Sequence, residues 1–310
     1  MIAVSVIVPT HNPHPGRLAR TLAGLAAQTL PADAWETLLV DNASSPALAS
    51  AAPPARPANL RIVSEPALGL TAARRRGLCE ARGELCVLVD DDNVLAPGHL
   101  AHAVRIFSAY PKLGAAGGPS RPEFEAPPPE WAREFLPLLA LRDLGPAPRL
   151  AGLERAADGS HFEYPACAPI GAGLALRRAA AGDWLSAAGA GTLSDRRGSA
   201  LTSGGDNDIV LTLLHRGWQV GYFPELALTH LIPASRLDPD YLARLNRGIQ
   251  TSWVQVLERH GANPWPLVPR WSVPLRQLRA WFRYRAWSSP AARIRWQGAC
   301  GHFAGRAAQR

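Results

Sequence analysis

The last fifty residues of the chain lack acidic residues, and this absence locates the positive charge of the protein. The segment 261–310 contains nine Arg and no Asp, Glu or Lys, so its formal charge is +9. Because the whole chain of 310 residues has a formal charge of +8, residues 1–260 have a net charge of 8 − 9 = −1. Any polyanionic partner is therefore expected at the C-terminal segment.

Cysteine is also scarce, and long apolar runs are missing. The four Cys are scattered and form no CxxC pair, which excludes a disulfide framework and indicates reduced thiols in a cytosolic protein. No run of about 18 apolar residues occurs, so no membrane-spanning helix is expected. The apolar start, "MIAVSVIVPTHN", has no preceding positive charges and stops at Pro9, which is typical of a strand rather than a signal peptide. No GxGxxG motif follows this strand, which argues against a dinucleotide-dependent oxidoreductase.

The first third of the chain alternates short apolar runs with helical patterns. Runs typical of strands occur at 4–8, 37–40, 60–66 and 86–89. Helical spacing occurs at 18–28, 71–81 and 99–110. Buried strands that alternate with helices predict an α/β fold with a mostly parallel sheet flanked by helices. In such sheets ligands bind at the carboxyl ends of the strands.

Three consecutive aspartates follow one of these strands, in "ELCVLVDDDNVLAP" (84–97). Polar residues also follow the runs that end at Val8 and Val40. Three adjacent carboxylates repel one another, so they are expected either in a solvated turn or around a divalent cation. Mg²⁺ and Mn²⁺ favour carboxylate oxygens and share them with phosphate oxygens. The buried run before the aspartates favours the metal site.

The middle of the chain has a different composition. Residues 119–169 are rich in proline, with a short helical stretch at 130–139, and are expected to form a lid or an acceptor-side wall. "PIGAGLALRR" (169–178) predicts a glycine-rich turn, a strand and the start of a helix. "GGDNDIVLTLLHRGW" (204–218) predicts a helix with acidic residues in its first turn.

Four segments, in this order, resemble the motifs of glycosyltransferase family 2. They are "VSVIVPTHN", "LLVDNAS", "GLTAARRRGLCEARGELCVLVDDDN" and "GGDNDIVLTLLHRGW". The resemblance covers roughly residues 3–232 and implies the GT-A fold, a Rossmann-like, mostly parallel sheet with flanking helices. In this chain, a C-terminal helical extension is expected to follow the GT-A domain. The chain is then divided into a nucleotide-sugar-binding half (1–118), an acceptor-binding half (119–260) and a basic extension (261–310).

The resemblance implies a metal-dependent, inverting glycosyltransferase with Mg²⁺ or Mn²⁺ as cofactor. Such an enzyme moves a sugar from a nucleotide-diphosphate sugar, here a UDP-sugar by preference, to a hydroxyl of a glycan or lipid-linked acceptor. A nucleotidyltransferase is an alternative, but it would carry a glycine-rich, basic phosphate loop where this chain has "PTHNPHPGR". A degenerate module that only binds nucleotide or membrane is a second alternative.

Roles for single positions also follow from the resemblance. The positions implied to bind the nucleotide sugar are Pro9, Thr10, Asn12, Asp41, Arg74, Asp90 and Asp91. Asp92 is the implied metal ligand, and Asp90 is its partner in the DxD motif. His230 is either a further metal ligand or a structural histidine.

The implied catalytic base is Asp206, with Asp208 as the alternative. Members of the family usually carry Glu before the base, whereas this chain has Gly205 there. Counting back from "GW" (217–218) favours Asp206, and a register shift of two would select Asp208. Both acids are also suited to cap the helix and to interact with its dipole.

Three further residues are candidates for the acceptor site. Gly171 and Gly173 are implied to form the floor of the acceptor pocket, where the missing side chains would let substrate approach the backbone, or else an ordinary turn. Trp131 is a candidate to stack on a sugar ring or, alternatively, to anchor its short helix.

The basic extension interleaves Arg with Trp and aliphatic residues. Leu275, Leu278, Trp281 and Phe282 have the spacing of one helical face. A basic amphipathic helix with Trp suits an anionic membrane surface, which would place the protein in the cytoplasm or at the inner face of the cell membrane. A helix packed on the domain with snorkelling arginines is the main alternative, and nucleic acid is not expected.

Overall fold

The structure is a computed structural model that describes residues 2–48, 56–187 and 203–307. The strands are β1 Val4–Thr10, β2 Trp35–Asp41, β3 Leu60–Ser64, β4 Leu85–Leu88, β5 Asn93–Leu95, β6 Leu113–Gly117, β7 Ser120–Phe124, β8 Arg149–Ala151, β9 Leu174–Arg177, β10 Gln219–Tyr222 and β11 Leu228–Ile232. The α helices are α1 Pro15–Ala26, α2 Leu70–Glu80, α3 His99–Ala109, α4 Arg178–Ala187, α5 Gly205–His215, α6 Pro239–Arg259, α7 Val273–Tyr284 and α8 Pro290–Gly305. Short 3₁₀ segments occur at Ala32–Ala34, Glu130–Leu139, Ala234–Leu237 and Arg270–Ser272.

The large sheet has the strand order β3-β2-β1-β4-β9-β6-β10-β8. The first four strands form three parallel pairs, β3 with β2, β2 with β1 and β1 with β4. Strand β10 also runs parallel to β6. Strand β9 is antiparallel to both of its neighbours, and β8 is antiparallel to β10. All seven residues of β1 are buried, because helices cover both faces of the sheet. The predicted α/β fold with a mostly parallel sheet is confirmed.

A smaller sheet begins where the three aspartates end. Strand β5 starts at Asn93, pairs antiparallel with β11, and β11 pairs in parallel with β7. The chain therefore leaves the large sheet after Leu88 and enters the small sheet at Asn93, with the aspartates in the crossing. In the large sheet, Thr10 is paired in register with Asp41. The ends of β1, β2 and β4 consequently lie side by side at one edge.

Three buried clusters hold these layers together. One face of the large sheet packs against α2, α4 and α5, and the other packs against α1 and α3. The third cluster joins the 130–139 segment to α6 and α8, with Phe135 and Leu139 packed together with Leu242 and Ile294. Helix α8 of the basic extension is thus part of the packed body of the protein.

The predicted strands and helices of the first third have boundaries within a few residues of those observed. Strands β5, β6, β7 and β8 are absent from the sequence prediction. The segment Glu130–Leu139 is a 3₁₀ helix, and Pro137 inside it has no backbone N–H to donate. Among the described residues, no helix is both long and apolar enough to cross a bilayer.

The extension contains the predicted amphipathic helix, α7, but one side chain differs from the prediction. Leu275, Leu278 and Phe282 are exposed together, as their spacing predicts. Trp281 instead faces α8, where its ring meets the ring of Trp296 edge-on at 4.7 Å between centroids. The residue after Trp281 turns by about 100° around the helix, so both cannot share one face.

Candidate functional site

A cleft of ≈ 280 Å³ lies at the carboxyl ends of β1, β2 and β4. Polar residues from these strand ends meet apolar residues from the start of α2 and the end of the 130–139 segment. The lining residues are Pro9, Thr10, His11, Asn42, Leu68, Leu70, Ala73, Asp90, Asp91, Asp92, Leu139, Ala140, His230 and Arg236. The position agrees with the rule that ligands of parallel sheets bind beyond the carboxyl ends of the strands.

Each of the three aspartates points toward a different partner, which reduces their mutual repulsion. Asp90 Oδ1 lies 3.6 Å from the Arg74 guanidinium. Asp91 accepts a hydrogen bond from the Thr10 hydroxyl. Burial raises the pKa of Asp91 to about 6, although the hydrogen bond from Thr10 acts in the opposite direction. The strand end is therefore a carboxylate cluster held by the fold rather than a solvated turn.

Asp92 is the most buried of the three aspartates and faces two basic side chains. Its Oδ1 lies 3.4 Å from His230 Nε2, and its Oδ2 lies 3.8 Å from the Arg236 guanidinium. Strand pairing explains the histidine, because β11 places His230 opposite Asn93, next to Asp92 in sequence. The Nδ1 atom of His230 is buried and has no hydrogen-bond partner among the described residues.

The side chains at Asp92 offer part of the ligand set of a divalent cation. Carboxylate oxygen and imidazole nitrogen are both suitable ligands for Mn²⁺, and carboxylate oxygen is suitable for Mg²⁺. Among the described residues, no group of three or more His, Cys, Asp or Glu side chains is arranged to hold a metal ion. Asp92 and His230 fit an ion that takes its remaining ligands from phosphate and water, as Mg²⁺ and Mn²⁺ commonly do.

The loop after β2 is held in place by its own polar groups. Both carboxylate oxygens of Asp41 accept backbone N–H groups, from Ser44 at 3.1 Å and from Leu48 at 2.9 Å. Burial works to raise the pKa of Asp41, but these hydrogen bonds outweigh it and leave the pKa below its usual range. Asp41 is not part of the cleft lining, whereas Asn42 is. Asn12 is exposed and accepts from the backbone of Ser45, so it ties the β1 loop to this one.

Arg74, Gly171 and Asp206 form a second group beside the cleft. Arg74 is buried in α2 and faces Asp90. The backbone N–H of Gly171 donates to Asp206 Oδ2 at 2.8 Å. A Cβ atom at Gly171 would lie 2.9 Å from Arg74 Nη2 and 3.4 Å from Asp206 Oδ2. Because glycine has no side chain, Arg74 and Asp206 both fit around this position, and Gly171 and Arg74 together link Asp206 to Asp90.

Asp208 lies in the same first turn of α5 but faces a different environment. Its carboxylate accepts hydrogen bonds from His260 Nε2 and Trp184 Nε1, both at 3.0 Å, and lies 3.6 Å from Arg259. Burial works to raise its pKa, but the hydrogen bonds from His260 and Trp184 lower it overall. Gly204 occupies the N-cap position, so neither acid caps the helix. The structure thus separates the two candidate bases, with Asp206 beside the cleft and Asp208 in the core.

The other two acceptor-site candidates, Gly173 and Trp131, are both explained by packing inside the protein. Gly173 has φ of +69°, and a Cβ there would lie 2.5 Å from a Leu228 methyl carbon, so both backbone and packing require glycine. Trp131 packs against the buried cluster of the 130–139 segment, α6 and α8, and does not line the cleft. Its position is that of a hydrophobic anchor.

Several lining residues were not identified from the sequence. Arg236 follows β11 on a short 3₁₀ segment, and its guanidinium lies 5.3 Å from the centroid of the Tyr241 ring. A basic residue shortly after a strand end was the available signal. Ala140 has φ of +54° and ends the 130–139 segment against the cleft. Outside the lining, the sequence also did not identify Tyr164, whose hydroxyl donates to Asn207 at 2.7 Å. Burial, and to a smaller extent the nearby charge of Asp206, raises the pKa of Tyr164.

Comparisons with known proteins agree with this architecture. The sequence model of the family described as Glycosyl transferase family 2 matches residues 5–173, which is 173 − 5 + 1 = 169 of the 310 residues. No curated protein matches the sequence significantly.

Two solved proteins illustrate the structural similarity. The mannosyltransferase PcManGT from Pyrobaculum calidifontis, in complex with GDP-Man and Mn²⁺, has a TM-score of 0.54 and 21% identity, covering 94% of this chain and 72% of that one. S. aureus TarS has a TM-score of 0.49 and 14% identity, covering 97% of this chain and 54% of that one. Residues 1–349 of TarS in complex with UDP have a TM-score of 0.48 and 13% identity, covering 97% of this chain and 89% of that one. The mannosyltransferase supports the same overall fold.

Proposed function

Because the chain belongs to glycosyl transferase family 2, and is therefore a glycosyltransferase with the GT-A fold, we propose that it is a metal-dependent, inverting enzyme. It transfers a sugar from a nucleotide-diphosphate sugar to a hydroxyl of a glycan or a lipid-linked glycan. The cleft at the ends of β1, β2 and β4 binds the donor. Pro9, Thr10 and Asn42 line this cleft and face the nucleoside, with Asp41 and Asn12 shaping its rim.

The diphosphate of the donor is assigned to the Asp92 end of the cleft. Asp92 and His230 are the proposed protein ligands of Mg²⁺ or Mn²⁺, and Asp90 is their DxD partner. When bound, the divalent ion would offset the negative charge that develops on the diphosphate leaving group. Arg236 lines the same end of the cleft and supplies a further positive charge for the phosphates. Asp91 and Thr10 hold the strand ends in register.

The environment of Asp206 is the observation that carries the catalytic proposal. Its Oδ2 accepts from the Gly171 N–H at 2.8 Å, close to Arg74, whereas both carboxylate oxygens of Asp208 are engaged by His260 and Trp184. In the proposed step the acceptor oxygen bonds to the anomeric carbon while the bond from that carbon to the diphosphate breaks. The nucleoside diphosphate leaves with the bonding electrons, and Asp206 takes the hydroxyl proton. Direct displacement inverts the anomeric centre.

The acceptor is proposed to approach from the side of Gly171 and Gly173. Gly171 lies against Asp206, so a hydroxyl that reaches this carboxylate must pass the backbone at this position. The missing side chain leaves room for Arg74 and Asp206, so the carboxylate keeps the position in which it would meet the hydroxyl.

A UDP-sugar is the proposed donor. The similar mannosyltransferase was solved with GDP-Man, so GDP-sugars belong in any test of donor choice. Ligand-dependent stabilisation distinguishes the donors without knowledge of the acceptor, because a ligand that binds only the folded state raises the melting temperature.

The test of the catalytic assignment compares Asp206→Asn with Asp208→Asn. We expect Asp206→Asn to bind the donor normally and to transfer sugar about 10²–10⁴-fold more slowly, because a general base contributes this much. Donor binding is measured by calorimetry, and transfer by single-turnover kinetics. If Asp206→Asn transferred at a near wild-type rate while a folded Asp208→Asn did not, the base would be Asp208.

A further inference from the structure

The 3₁₀ turn at 270–272 and helix α7 display a row of large apolar side chains to solvent. Trp271, Leu275, Leu278 and Phe282, which we call the α7 face, are exposed to 76%, 62%, 55% and 62%. Their spacings of four, three and four residues place them on one side of the helix. Trp287, exposed to 56%, extends the row, and its ring lies 5.9 Å from that of Phe282. Monomeric proteins rarely leave such a contiguous apolar surface without a partner.

The side of α7 opposite the exposed row packs against the rest of the protein. The exposed row therefore belongs to a helix whose position is fixed. Ala280 is buried against the body of the protein. Trp281 meets Trp296 of α8 edge-on, and the Trp296 indole N–H donates to the Gln277 carbonyl at 3.0 Å. The orientation of α7 is therefore fixed by α8, and the α7 face is presented outward.

Seven of the nine arginines of the extension fall into two groups. Arg293 and Arg295 of α8 form ion pairs with Asp240 and Glu134, which attach α8 to the catalytic body. Within the described part of the chain, no ion pair with a carboxylate is formed by the exposed arginines beside the α7 face, which are Arg270, Arg276, Arg279, Arg283 and Arg285. Five positive charges thus border the apolar row without a negative partner.

A groove of ≈ 520 Å³ beside the α7 face brings both kinds of side chain together. Arg276, Arg279 and Arg283 line it at spacings of three and four residues, together with Trp271 and Phe303. An occupant of this surface must offer negative charge and apolar surface side by side.

A second copy of the chain does not meet this requirement. A twofold dimer would bring the same patch of each subunit together, and the arginines of one would face those of the other. Single-stranded nucleic acid would supply phosphates, but its bases stack on aromatic rings, whereas the middle of the row is Leu275 and Leu278. Aliphatic side chains flanked by Trp and Arg are typical of helices that lie in a bilayer interface.

We propose that the α7 face docks on an anionic phospholipid bilayer. The apolar row enters the boundary between headgroups and acyl chains, and the arginines of the groove contact lipid phosphates. Helix α8 links this surface to the active-site region, because Ala291 and Ile294 share a buried cluster with Phe135 and Leu139, and Leu139 lines the donor cleft. The docking depends on neither the metal nor the donor, so it stands or falls separately from the proposed reaction.

The test is co-sedimentation of the full chain with vesicles of phosphatidylcholine containing about 30% phosphatidylglycerol, an anionic lipid. We expect binding to these vesicles, little binding to pure phosphatidylcholine, and weaker binding when salt is raised from about 0.1 M to about 1 M, which screens the attraction. Arg279→Gln combined with Arg283→Gln should weaken binding about 20- to 30-fold, since each interfacial arginine contributes about fivefold. Leu278→Ala should weaken it about fivefold.

Matched variants separate docking from general effects of charge and apolar surface. Arg133→Gln combined with Arg216→Gln removes the same charge from exposed positions outside the extension, and Leu150→Ala removes an exposed leucine from β8. These should bind vesicles as the wild type does. The proposal is overturned if both vesicle types pellet the protein equally, or if the control and test variants bind alike. It is equally overturned if sedimentation shows a dimer that Phe282→Ala abolishes.

Discussion

The strand-end cleft and the α7 face both concentrate charge, and they treat it in opposite ways. In the cleft, Asp90, Asp91 and Asp92 each face a separate partner, and Asp92 is nearly inaccessible to solvent. Beside the α7 face, the arginines are exposed and border apolar side chains that have no cover. The polar atoms of the cleft are held in place by the fold before any ligand binds. The α7 face instead offers a broad, exposed surface of mixed apolar and positive character.

This difference indicates the size of what each region binds. Fixed, partly buried polar groups favour a small ligand with defined geometry, because little reorganisation is needed on binding. An exposed row of Trp, Leu and Phe bordered by arginines favours an extended partner whose contribution scales with area. The comparison predicts that single substitutions have large effects in the cleft and in the buried core behind it, and small effects on stability in the extension.

The largest expected effect on stability is that of Asp208→Asn. The carboxylate is buried and accepts hydrogen bonds from His260 and Trp184. In Asn, an N–H₂ group replaces one of the two accepting oxygens, so one of the two N–H donors faces another donor. We therefore expect a loss of about 2–3 kcal/mol in the free energy of unfolding at pH 7. Urea unfolding measures this loss, and Asp240→Asn, in an exposed ion pair, is the control.

The same substitution has a defined pH dependence. Because the pKa of Asp208 is lower in the folded protein than its ordinary value, its charged form stabilises the fold above about pH 4, and that stability is lost as the pH falls through the lowered pKa. The difference between wild type and Asp208→Asn should therefore shrink in acid. A difference that grows on acidification would show that the pKa is raised instead.

The next largest effect is on catalysis by Gly171→Ala. The added Cβ would lie 2.9 Å from Arg74 Nη2 and beside Asp206, so the guanidinium or the base must move. A displacement of this size should lower kcat/KM about 10- to 100-fold while the protein remains folded. Gly182→Ala is the matched control, since a Cβ there meets no atom within 4 Å. Equal activity of both variants would contradict the proposed position of the base.

The smallest effect is expected for Arg295→Gln in α8. Its guanidinium pairs with Glu134, but both side chains are about half exposed, and exposed ion pairs contribute about 0.2–1 kcal/mol. Thermal unfolding at low and high salt measures the loss, which should fall as salt screens the pair. Arg279→Gln has no such pair to lose, so it should leave stability unchanged. A loss as large as that of Asp208→Asn would break the contrast between the two regions.

The fold could be predicted from the sequence because its signals are local. Apolar runs of strand length, helical spacing and polar strand ends all lie within ten or so residues, and they located β1, β2, β3, β4, α2, α3 and α5. The short strands β5, β6, β7 and β8 could not be found this way. Their pairing partners are distant in sequence, and three to five residues carry too little pattern of their own.

The candidate site was predictable in its composition and not in its geometry. Asp206 and Asp208 are two positions apart, so they differ by about 200° around the helix, and periodicity does not state which faces the cleft. Contacts from Gly171, Trp184 and His260 separate them, and these lie 24 to 52 positions away in sequence. In the same way, the spacing in α7 did not show that Trp281 faces α8 while Phe282 is exposed, because contacts with α8 decide it.

The most direct test of the central claim is a thermal-shift measurement of the wild type with UDP-, GDP- and dTDP-sugars, each with and without Mn²⁺. The account predicts that at least one of them, a UDP-sugar by preference, raises the melting temperature in the presence of Mn²⁺ and much less in its absence. It also predicts that Asp92→Asn, which removes the proposed metal ligand, abolishes the metal-dependent part. Stabilisation by none of the donors, or the same stabilisation with and without metal, would contradict the metal-dependent donor site at the three aspartates.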